Sequence, residues 1–340
     1  MRIAVDAMGG DFAPREIVVG AAQAADLASV TRLILVGDQA AIQAELKRCP
    51  RVSPKIEIRH AAETVGMDET PALAIRKKKD SSIGRAVDMV KEGEADAVLS
   101  AGNTGAMVVA ATLKLRTLEG VERPAIATVM PTLGRPLVLI DAGANTDCDA
   151  RLLLDFAAMG SVYAREILGQ GRPVVGLLSI GVEDSKGNEI TKEAFRLLSA
   201  SPLNFRGNVE GHDLFRGETD VVVCDGFMGN VVLKTSEGVA HAIGQWLKQE
   251  FKANPVRLLG ALMLRGAMRS IKRRIDPELF GGAPLLGVNG VCIITHGAST
   301  ARAIYHAVRV AGESVGHHLT HQIVDEMKQL RSTHESATTK

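Results

Sequence analysis

The sequence predicts a three-layer α/β/α sandwich built on a mostly parallel β-sheet. Short apolar runs alternate with amphipathic segments along the chain, and this alternation is typical of strand–helix–strand units with right-handed crossovers. Most of the apolar runs are continuous, as expected for strands that helices cover on both faces. Several runs are followed directly by glycine-rich turns. We therefore expect residues 1–330 to form one large α/β unit.

Nine apolar runs predict the strands in chain order. They cover residues 3–5, 33–36, 56–58, 97–99, 126–130, 137–140, 174–180, 221–224 and 291–294. Segments with apolar residues at helical spacing predict helices at residues 15–28, 39–48, 81–92, 104–118, 151–168, 189–198 and 230–252. The polar residues 331–340 predict a flexible tail.

Composition excludes several function classes. The chain has 40 Lys and Arg against 39 Asp and Glu, and few aromatic residues, so neither a basic field nor base-stacking platforms favour nucleic-acid binding. The four cysteines form no CxxC pair, which is typical of reduced thiols in a cytoplasmic protein. An early carboxylate, Asp6, interrupts any signal-peptide core, and the longest uncharged run, residues 97–113, carries too many polar residues to cross a bilayer. These features predict a cytoplasmic protein.

Glycine clusters after the predicted strands. The longer segments cover residues 6–11, 100–105, 141–145, 181–187 and 225–230, and shorter ones cover 37–38 and 296–298. In an open parallel sheet such turns share the carboxyl edge, where backbone N–H groups and helix N-termini bind anions. An alternative is that these turns contain glycine for conformational reasons alone. The pairing of glycine with Asn, Asp and Ser in several loops favours a binding site.

The missing motifs narrow the chemistry further. No G-x-G-x-x-G follows the first strand, and no P-loop, G-x-S-x-G or H-E-x-x-H sequence occurs. We therefore expect no cofactor, no metal centre and no covalent nucleophile of the serine type. What remains is an anion-binding site rich in Gly, Asn and Asp.

Seven segments are long enough to identify a family. They are VDAMGGD at 5–11, SAGNTGAM at 100–107, IDAGAN at 140–145, GVEDSKGNE at 181–189, NVEGH at 208–212, VCDGFMGN at 223–230 and GAPLLG at 282–287. In these segments, and in their order over roughly residues 1–320, the sequence resembles the bacterial phosphate acyltransferases of phospholipid synthesis. The resemblance implies transfer of a fatty acyl group from acyl carrier protein to inorganic phosphate. It also implies a homodimer with a fold akin to the isocitrate and isopropylmalate dehydrogenases, without a nicotinamide cofactor.

Such a reaction needs an anion site and not an activated side chain. Phosphate itself attacks the thioester, so the protein must hold it about 3 Å from the carbonyl carbon and stabilise the oxyanion that forms. We assign the phosphate cradle to backbone and side-chain donors of Gly9, Gly10, Ser100, Gly102, Asn103 and Thr104.

Three side chains are candidates for the chemical steps. Lys186, the only cation in its glycine-rich loop, would neutralise the phosphate or the oxyanion, and the alternative is a solvent-exposed loop lysine. Asn230 is a candidate amide donor to the carbonyl oxygen, or a helix cap. His212 is a candidate proton donor to the leaving thiolate, or a structural histidine.

Carboxylates in the predicted binding loops repel phosphate unless they are paired or orient hydrogen-bond donors. We favour the orienting role, and a Mg²⁺ ion that bridges them to phosphate is the less favoured alternative. The substrate-binding set therefore also contains Asp6, Asp11, Asp141, Gly143, Asn145 and Asp225.

Residues 251–275 carry seven basic side chains and no acidic one, and they predict an inserted amphipathic helical segment. This pattern favours a peripheral anchor on an anionic membrane, and the alternative is a dimer-packing helix with a solvated basic face. The proposed membrane-surface residues are Leu258, Leu262, Met263, Arg265, Arg269, Lys272 and Arg273.

Further partners and functions stay open at this point. The basic run at residues 76–79 is a candidate docking patch for the acidic carrier protein, or a solvated face. A downstream glycerol-3-phosphate acyltransferase is a second expected partner at the membrane surface. The alternatives to the carrier-dependent reaction are transfer from an acyl-coenzyme A, as in phosphotransacetylases, a hydroxy-acid dehydrogenase, and a non-catalytic scaffold for lipid enzymes.

Overall fold

The computed structural model describes the backbone of residues 1–338 and the side chains through residue 332. The strands are β1 Arg2–Asp6, β2 Arg32–Gly37, β3 Ile56–His60, β4 Ala97–Ser100, β5 Ala125–Met130, β6 Leu137–Ile140, β7 Val175–Leu178, β8 Phe205–Val209, β9 Val221–Val223, β10 Ala283–Leu286 and β11 Val291–Ile294. The helices are α1 Arg15–Ala24, α2 Gln39–Leu46, α3 Pro71–Lys77, α4 Ser82–Lys91, α5 Thr104–Leu115, α6 Ala150–Glu166, α7 Glu189–Ala200, α8 Gly226–Lys252, α9 Pro255–Met263, α10 Arg265–Arg274, α11 Ala301–Gly316 and α12 Leu319–Thr338.

All of these strands belong to one sheet, in the order β3-β2-β1-β4-β11-β10-β5-β6-β9-β7-β8. Seven neighbouring pairs are parallel. The three antiparallel pairs, β11–β10, β10–β5 and β5–β6, lie together in the middle of the sheet. Because three reversals separate the two halves, β6, β9, β7 and β8 run opposite to β1, β2, β3, β4 and β11.

Helices cover both faces of this sheet. Val5 of β1 packs in a core with α1 and α11, whereas its neighbour Ala4 packs with α4 and α5 on the opposite face. In the other half of the sheet, Ile140 packs with α6 and α12, and Leu139 packs with the first turns of α8. Alternate residues of a strand point to opposite faces, so this division between cores confirms the predicted three-layer α/β/α arrangement.

The nine predicted strands and seven predicted helices all have counterparts in the structure. β8 and β10 have no counterpart among the predictions. β8 carries Arg206 and Asn208 within a short run, and β10 contains Pro284, a residue that is rare inside strands. The local sequence does not indicate a strand at either position, and both strands form by pairing with their neighbours in the sheet.

The basic segment at residues 251–275 folds as two short helices, α9 and α10, that meet at Leu264. The sequence pattern was interpreted on one continuous helix, and the break at Leu264 divides that helix into two. No residue of α9 or α10 is buried. The segment thus presents its apolar and its basic side chains to the surroundings.

The last described helix, α12, continues to Thr338. The predicted flexible tail at residues 331–340 falls on the end of this helix and on residues 339 and 340, which lie outside the described residues, and its flexibility stays a prediction. Within residues 1–338, no helix has both the length and the apolar character needed to cross a membrane.

Candidate active site

The first half of the site is built where β1 and β4 end side by side. The two strands are parallel, and their register pairs Asp6 with Ser100. The Ser100 hydroxyl donates a 2.7 Å hydrogen bond to the Asp6 carboxylate and accepts a 3.0 Å bond from the Gly102 N–H. Both side chains are buried, and this burial raises the pKa of Asp6 although hydrogen bonds from Ser82 and Ser100 oppose it. Asp6 therefore orients the loop that follows β4, and it does not face an anion.

The loops after β1 and β4 are in direct contact at Gly9 and Gly102. A Cβ atom on Gly9 would lie 2.7 Å from the Gly102 nitrogen, which is closer than side chains approach backbone in proteins. Only glycine fits here, and the close approach leaves the backbone of residues 9–10 next to the start of α5. Small residues at such a position expose N–H groups to an anion.

Asn103 is the N-cap of α5 and is fully engaged with the protein. Its side-chain oxygen accepts from the Ala106 N–H at 3.0 Å. Its amide nitrogen donates to the carbonyl oxygens of Met67 and Glu69 at 2.9 and 3.0 Å, and to that of Gly66 at 3.3 Å. Asn103 therefore holds the preceding loop against the cradle, and its side chain has no donor left for phosphate. The phosphate-binding role that was assigned to Asn103 from the sequence is therefore left to its backbone and to the first turn of α5.

The donors that remain lie at the N-terminus of α5. The N–H groups of Thr104 and Gly105 belong to the first turn, where a helix offers no internal acceptors. Thr104 is exposed, so its hydroxyl and the helix end are open to a ligand. A twelve-residue helix with this start favours a bound anion through its dipole.

The loop after β11 forms a third wall beside these two and was not assigned to the site from sequence. The Thr295 N–H donates to the Ser100 carbonyl at 2.9 Å, and the Asp11 N–H donates to the Gly297 carbonyl at 2.8 Å. His296 lies between these two contacts and is exposed. Its Nδ1 accepts from the Ala298 N–H at 3.1 Å. The sequence signal that could have found this loop is Gly297, a glycine shortly after a predicted strand, and His296 is the residue directly before it.

The second half of the site is organised by Asp141 at the end of β6. This buried carboxylate accepts from the N–H groups of Ile126, Gly143 and Ala144 at 3.0 to 3.1 Å. It also accepts from the backbone and side-chain nitrogens of Asn145 at 2.6 and 2.9 Å. Burial raises the pKa of Asp141 against the effect of these bonds. Like Asp6, it orients a glycine-containing loop.

Asn230 faces this loop from the second turn of α8. A Cβ placed on Gly143 would lie 3.8 Å from the Asn230 side-chain oxygen. Asn230 is exposed, and the N-cap of α8 is Asp225, whose carboxylate accepts from the Met228 N–H at 2.7 Å. The alternative in which Asn230 is a helix cap is therefore wrong. Its amide is free to contact a ligand over Gly143.

Lys186 lies in the loop after β7. It is exposed, and among the side chains described here no carboxylate is within ion-pair distance of its ammonium. An open groove of about 390 Å³ adjoins the loop and is lined by Asp184, Ser185, Lys192, Phe195 and Arg196. Lys186 directly follows the lining residues Asp184 and Ser185 in the chain, and the groove is large enough for part of a substrate.

His212 follows β8 and lies apart from the groove. Its Nε2 is 3.2 Å from Asp213, which also pairs with Arg216 at 2.9 Å. Glu210, His212 and Asp213 offer ligand atoms within 4.8 Å of one another. Asp213 is thus shared between Arg216 and His212, and this contact favours the alternative in which His212 is a structural histidine.

Strand direction divides the predicted site residues into two groups. Gly9, Gly10, Asp11, Ser100, Gly102, Asn103 and Thr104 follow β1 and β4, whereas Asp141, Gly143, Asn145, Lys186, His212, Asp225 and Asn230 follow strands of opposite direction. The expectation that all of these loops share one carboxyl edge is therefore wrong, because the three central reversals turn the second half of the sheet. The two groups adjoin one apolar core, which contains Met107 from the first turn of α5, Ala142 from the β6 loop and Leu233 from α8.

The thiols next to the second group are not nucleophiles. Burial, reinforced by Asp141 and Asp225, raises the pKa of Cys148 to about 11. The same causes raise the pKa of Cys224 well above its usual range. A thiol attacks as its thiolate, and neither group forms one near neutral pH. Neither of these two thiols is therefore a candidate nucleophile.

Comparison with known proteins connects this geometry to a family. The family model described as "Fatty acid synthesis protein" matches residues 1–322. A protein named "Phosphate acyltransferase" from Desulfitobacterium hafniense (strain DSM 10664 / DCB-2) is 50% identical over 336 residues, which cover 98% of this chain and 100% of that protein. A protein of the same name from Heliobacterium modesticaldum (strain ATCC 51547 / Ice1) is 50% identical over 316 residues, covering 93% of this chain and 94% of that protein.

Solved structures share the fold at lower identity. A phosphotransacetylase from Streptococcus pyogenes superposes with a TM-score of 0.60 at 19% identity, covering 93% of this chain and 94% of that chain. EutD phosphotransacetylase from Staphylococcus aureus gives a TM-score of 0.59 at 16% identity, with the same coverage of each chain. These likenesses confirm the fold class, and the near-complete matches at half identity confirm the resemblance that the seven sequence segments indicate. The chain is a member of the phosphate acyltransferase family and, with it, an acyltransferase enzyme.

Proposed function

We propose that this protein transfers a fatty acyl group from acyl carrier protein to inorganic phosphate and thereby forms acyl phosphate for phospholipid synthesis. The observation that carries the proposal is the buried Asp6–Ser100–Gly102 hydrogen-bond chain at the start of α5. It orders an anion-binding helix end in a chain that is half identical to proteins named phosphate acyltransferase. The buried carboxylates order the donors without presenting negative charge to the ligand.

Phosphate binds, in this proposal, at the N-terminus of α5. The N–H groups of Thr104 and Gly105 are unpaired by the helix. The backbone of Gly9 and Gly10 lies against Gly102 and Ala101, which precede these residues in the chain. The helix dipole adds partial positive charge at the same place. A dianion that is held by backbone hydrogen bonds keeps a nucleophilic oxygen available for attack.

The reaction then proceeds by direct attack. A phosphate oxygen forms a bond to the thioester carbonyl carbon, and the carbonyl oxygen becomes an oxyanion. When the C–S bond breaks, sulfur leaves with the electron pair as a thiolate and takes up a proton from solvent, and acyl phosphate remains. Lys186 and Asn230 are both exposed in the second half of the site, and the proposal assigns them the stabilisation of negative charge on the acyl group.

The acyl donor distinguishes this proposal from its closest rival. The shared fold with phosphotransacetylases supports coenzyme A thioesters as an alternative donor. The purified protein should release thiol from acyl carrier protein only when phosphate is added, and hydroxylamine should trap the product as a hydroxamate. A higher kcat/KM with acyl-coenzyme A would favour the rival, and release that is independent of phosphate would dismiss both.

The proposed docking surface for the carrier lies on α3 and the residues that follow it. Pro71 of α3 packs against Gly105, and the side chains of Arg76, Lys77 and Lys79 are exposed. Lys78 is not part of this surface, because it pairs with Glu69 at 2.5 Å. The proposal is that these three exposed cations attract the acidic carrier protein.

A charge reversal tests this docking surface. Changing both Lys77 and Lys79 to Glu should raise the KM for the acyl carrier protein about tenfold, while the KM for phosphate stays constant. The matched control is Lys47→Glu, an exposed lysine at the end of α2. An unchanged KM in the double variant would move docking to another surface.

We also propose a homodimer that lies on the membrane. In the last half of α8, Val239, Ile243, Trp246 and Leu247 are exposed at helical spacing and form an apolar stripe that a second copy would cover. In α9, Leu258, Leu262 and Met263 are 48%, 59% and 82% exposed, next to the basic side chains Arg265, Arg269, Lys272 and Arg273 of α10. This pairing of apolar and basic groups supports peripheral attachment to anionic lipid, where a downstream glycerol-3-phosphate acyltransferase would accept the product.

Two measurements test these surfaces separately. Ile243→Glu together with Trp246→Glu should convert a dimer to a monomer in light scattering, and a persistent dimer would reject this interface. Changing Leu258, Leu262 and Met263 to Ser should abolish sedimentation with phosphatidylglycerol vesicles. Leu133→Ser, which changes an exposed leucine elsewhere, is the control. Equal sedimentation of the triple variant would reject the anchor.

A further inference from the structure

The loop after β11 places an unassigned histidine beside the proposed phosphate site. β11 lies next to β4 in parallel register, and Ile294 pairs with Ser100. The next residue, Thr295, donates its N–H to the Ser100 carbonyl, so that His296 begins the loop directly beside the Ser100–Gly102 turn.

The other side of this loop is attached to the loop after β1. The Asp11 N–H donates to the Gly297 carbonyl at 2.8 Å, and a Cβ on Gly10 would lie 3.0 Å from the same oxygen. His296 therefore stands between the two loops that form the anion cradle. The Met67 side chain reaches the same turn from the segment that Asn103 holds in place.

The ring of His296 is oriented by a backbone contact. Its Nδ1 accepts the Ala298 N–H at 3.1 Å, so the proton of the neutral ring lies on Nε2. A ring held in this way is unsuited to donating a proton from Nδ1, because that atom already faces a donor. It is suited to offering the Nε2–H as a hydrogen bond, and a neutral imidazole can polarise a carbonyl in this manner.

We propose that His296 is a catalytic residue whose Nε2–H donates to the oxyanion that forms on the thioester carbonyl. This inference rests on the proposed function, since it assigns the group that stabilises charge at the first half of the site. Phosphate occupies the backbone donors of the α5 terminus, and the thioester carbonyl approaches from the side of the β11 loop. No proton is transferred by His296 in this role. The negative charge gains a hydrogen bond as phosphate attacks and loses it when the C–S bond breaks.

Two amide substitutions separate a donor from a merely structural ring. In His296→Asn, the side-chain oxygen replaces Nδ1 as the acceptor for Ala298, and no donor reaches the position of Nε2. In His296→Gln, the side-chain nitrogen reaches that position. We expect His296→Asn to lower kcat by about 100-fold with little change in the KM for phosphate, as for the loss of one oxyanion donor. His296→Gln should recover at least tenfold of that loss.

The control is His60→Asn at the end of β3. His60 also accepts a backbone N–H at its Nδ1, from Gln39 at 3.4 Å, and it follows an outer strand of the same half of the sheet. The activity of His60→Asn should equal that of the unmodified protein. All of these variants should have the melting temperature of the unmodified protein. Full activity in His296→Asn, or equal losses in the Asn and Gln variants, would overturn the inference while phosphate-dependent thiol release still stands. Absence of such release in the unmodified protein would instead overturn the proposed function and this inference together.

Discussion

The Ser100 hydroxyl donates a 2.7 Å hydrogen bond to the buried Asp6 carboxylate, and this contact joins the ends of two strands that lie 94 residues apart in the sequence. The same hydroxyl accepts from the Gly102 N–H, so the Ser100 side chain links the Asp6 carboxylate to the loop after β4. A buried carboxylate that serves only protein donors explains how an anion-binding site tolerates an aspartate in its first loop.

Ser100→Ala should therefore weaken both the fold and the site. It leaves a buried carboxylate with one donor fewer and the Gly102 N–H without its acceptor, which costs about 1–3 kcal/mol of unfolding free energy. We expect kcat/KM for phosphate to fall about tenfold as the loop loosens. The control Ser236→Ala removes a helix hydroxyl that donates to the Val232 carbonyl, and urea titration should show a change in unfolding free energy below about 0.5 kcal/mol. Equal stability of both variants would show that the Ser100 contact is dispensable.

Asn103 offers a test of the loop that it holds. Asn103→Asp and Asn103→Ser both keep an acceptor for the Ala106 N–H, and both lose the amide that donates to Gly66, Met67 and Glu69. Hydrogen exchange at residues 66–69 should speed up in both variants. The KM for phosphate should rise more with Asp, by about tenfold, because its charge repels the anion. A lower KM with Asp than with Ser would contradict an anion site at this helix end.

Two glycines of α8 separate packing from helix propensity. A Cβ on Gly229 would overlap the Asp141 carbonyl oxygen, whereas a Cβ on Gly238 would meet no atom within 4 Å. Gly229→Ala should destabilise the protein by about 2 kcal/mol or more and disturb the Asp141 loop. Gly238→Ala should stabilise it by about 0.5–1 kcal/mol, since alanine is the better helix former. Denaturant titration of the pair provides the measurement, and similar effects of the two changes would refute the contact with Asp141.

Lys186 should matter for turnover although it contributes little to the fold. Lys186→Ala removes an exposed cation from the loop that adjoins the groove, and we expect kcat/KM to fall about 100-fold with an unchanged melting temperature. Lys192→Ala removes a neighbouring lysine that pairs with Glu189 at 3.6 Å, and it should retain most of the activity. If the two variants were equally active, Lys186 would be a solvent-exposed loop lysine and no more.

Asp155 predicts a pH dependence of stability away from the site. Burial in α6 raises its pKa from 3.8 to about 7, partly offset by Arg331. Because the folded state favours the protonated form, the protein loses stability as the pH rises from about 4 to about 7. Asp155→Asn should therefore stabilise the protein by about 1–2 kcal/mol at pH 8, after allowance for solvent screening, and by less at pH 5.

The reference for this comparison is Asp147→Asn, which changes an exposed carboxylate of the same region. Its unfolding free energy in urea should match that of the unmodified protein at both pH values. A stabilisation by Asp155→Asn that is equal at pH 5 and pH 8 would contradict the raised pKa.

Most strand and helix positions can be predicted from the sequence, but the direction of each strand in the sheet cannot. Continuous apolar runs such as Leu137–Ile140 look alike whether they run up or down the sheet, because the pattern records burial alone. The reversals at β10 and β5 therefore had no local signal, and the two groups of site residues were expected on one edge. The orienting roles of Asp6 and Asp141 could be predicted because a carboxylate that faced phosphate would repel it. The hydrogen bonds of Asn103 could not be predicted, because their acceptors lie at residues 66–69, outside the segment that contains Asn103.

The most direct test follows the acyl group itself. The protein is incubated with radiolabelled acyl-acyl carrier protein, first without phosphate and then with it, and both the polypeptide and the hydroxylamine-trapped product are counted. If phosphate is the attacking group, the polypeptide stays unlabelled, thiol release waits for phosphate, and one hydroxamate forms for each thiol released. A labelled polypeptide that forms without phosphate, and then loses its label to added phosphate at the rate of turnover, would contradict direct attack.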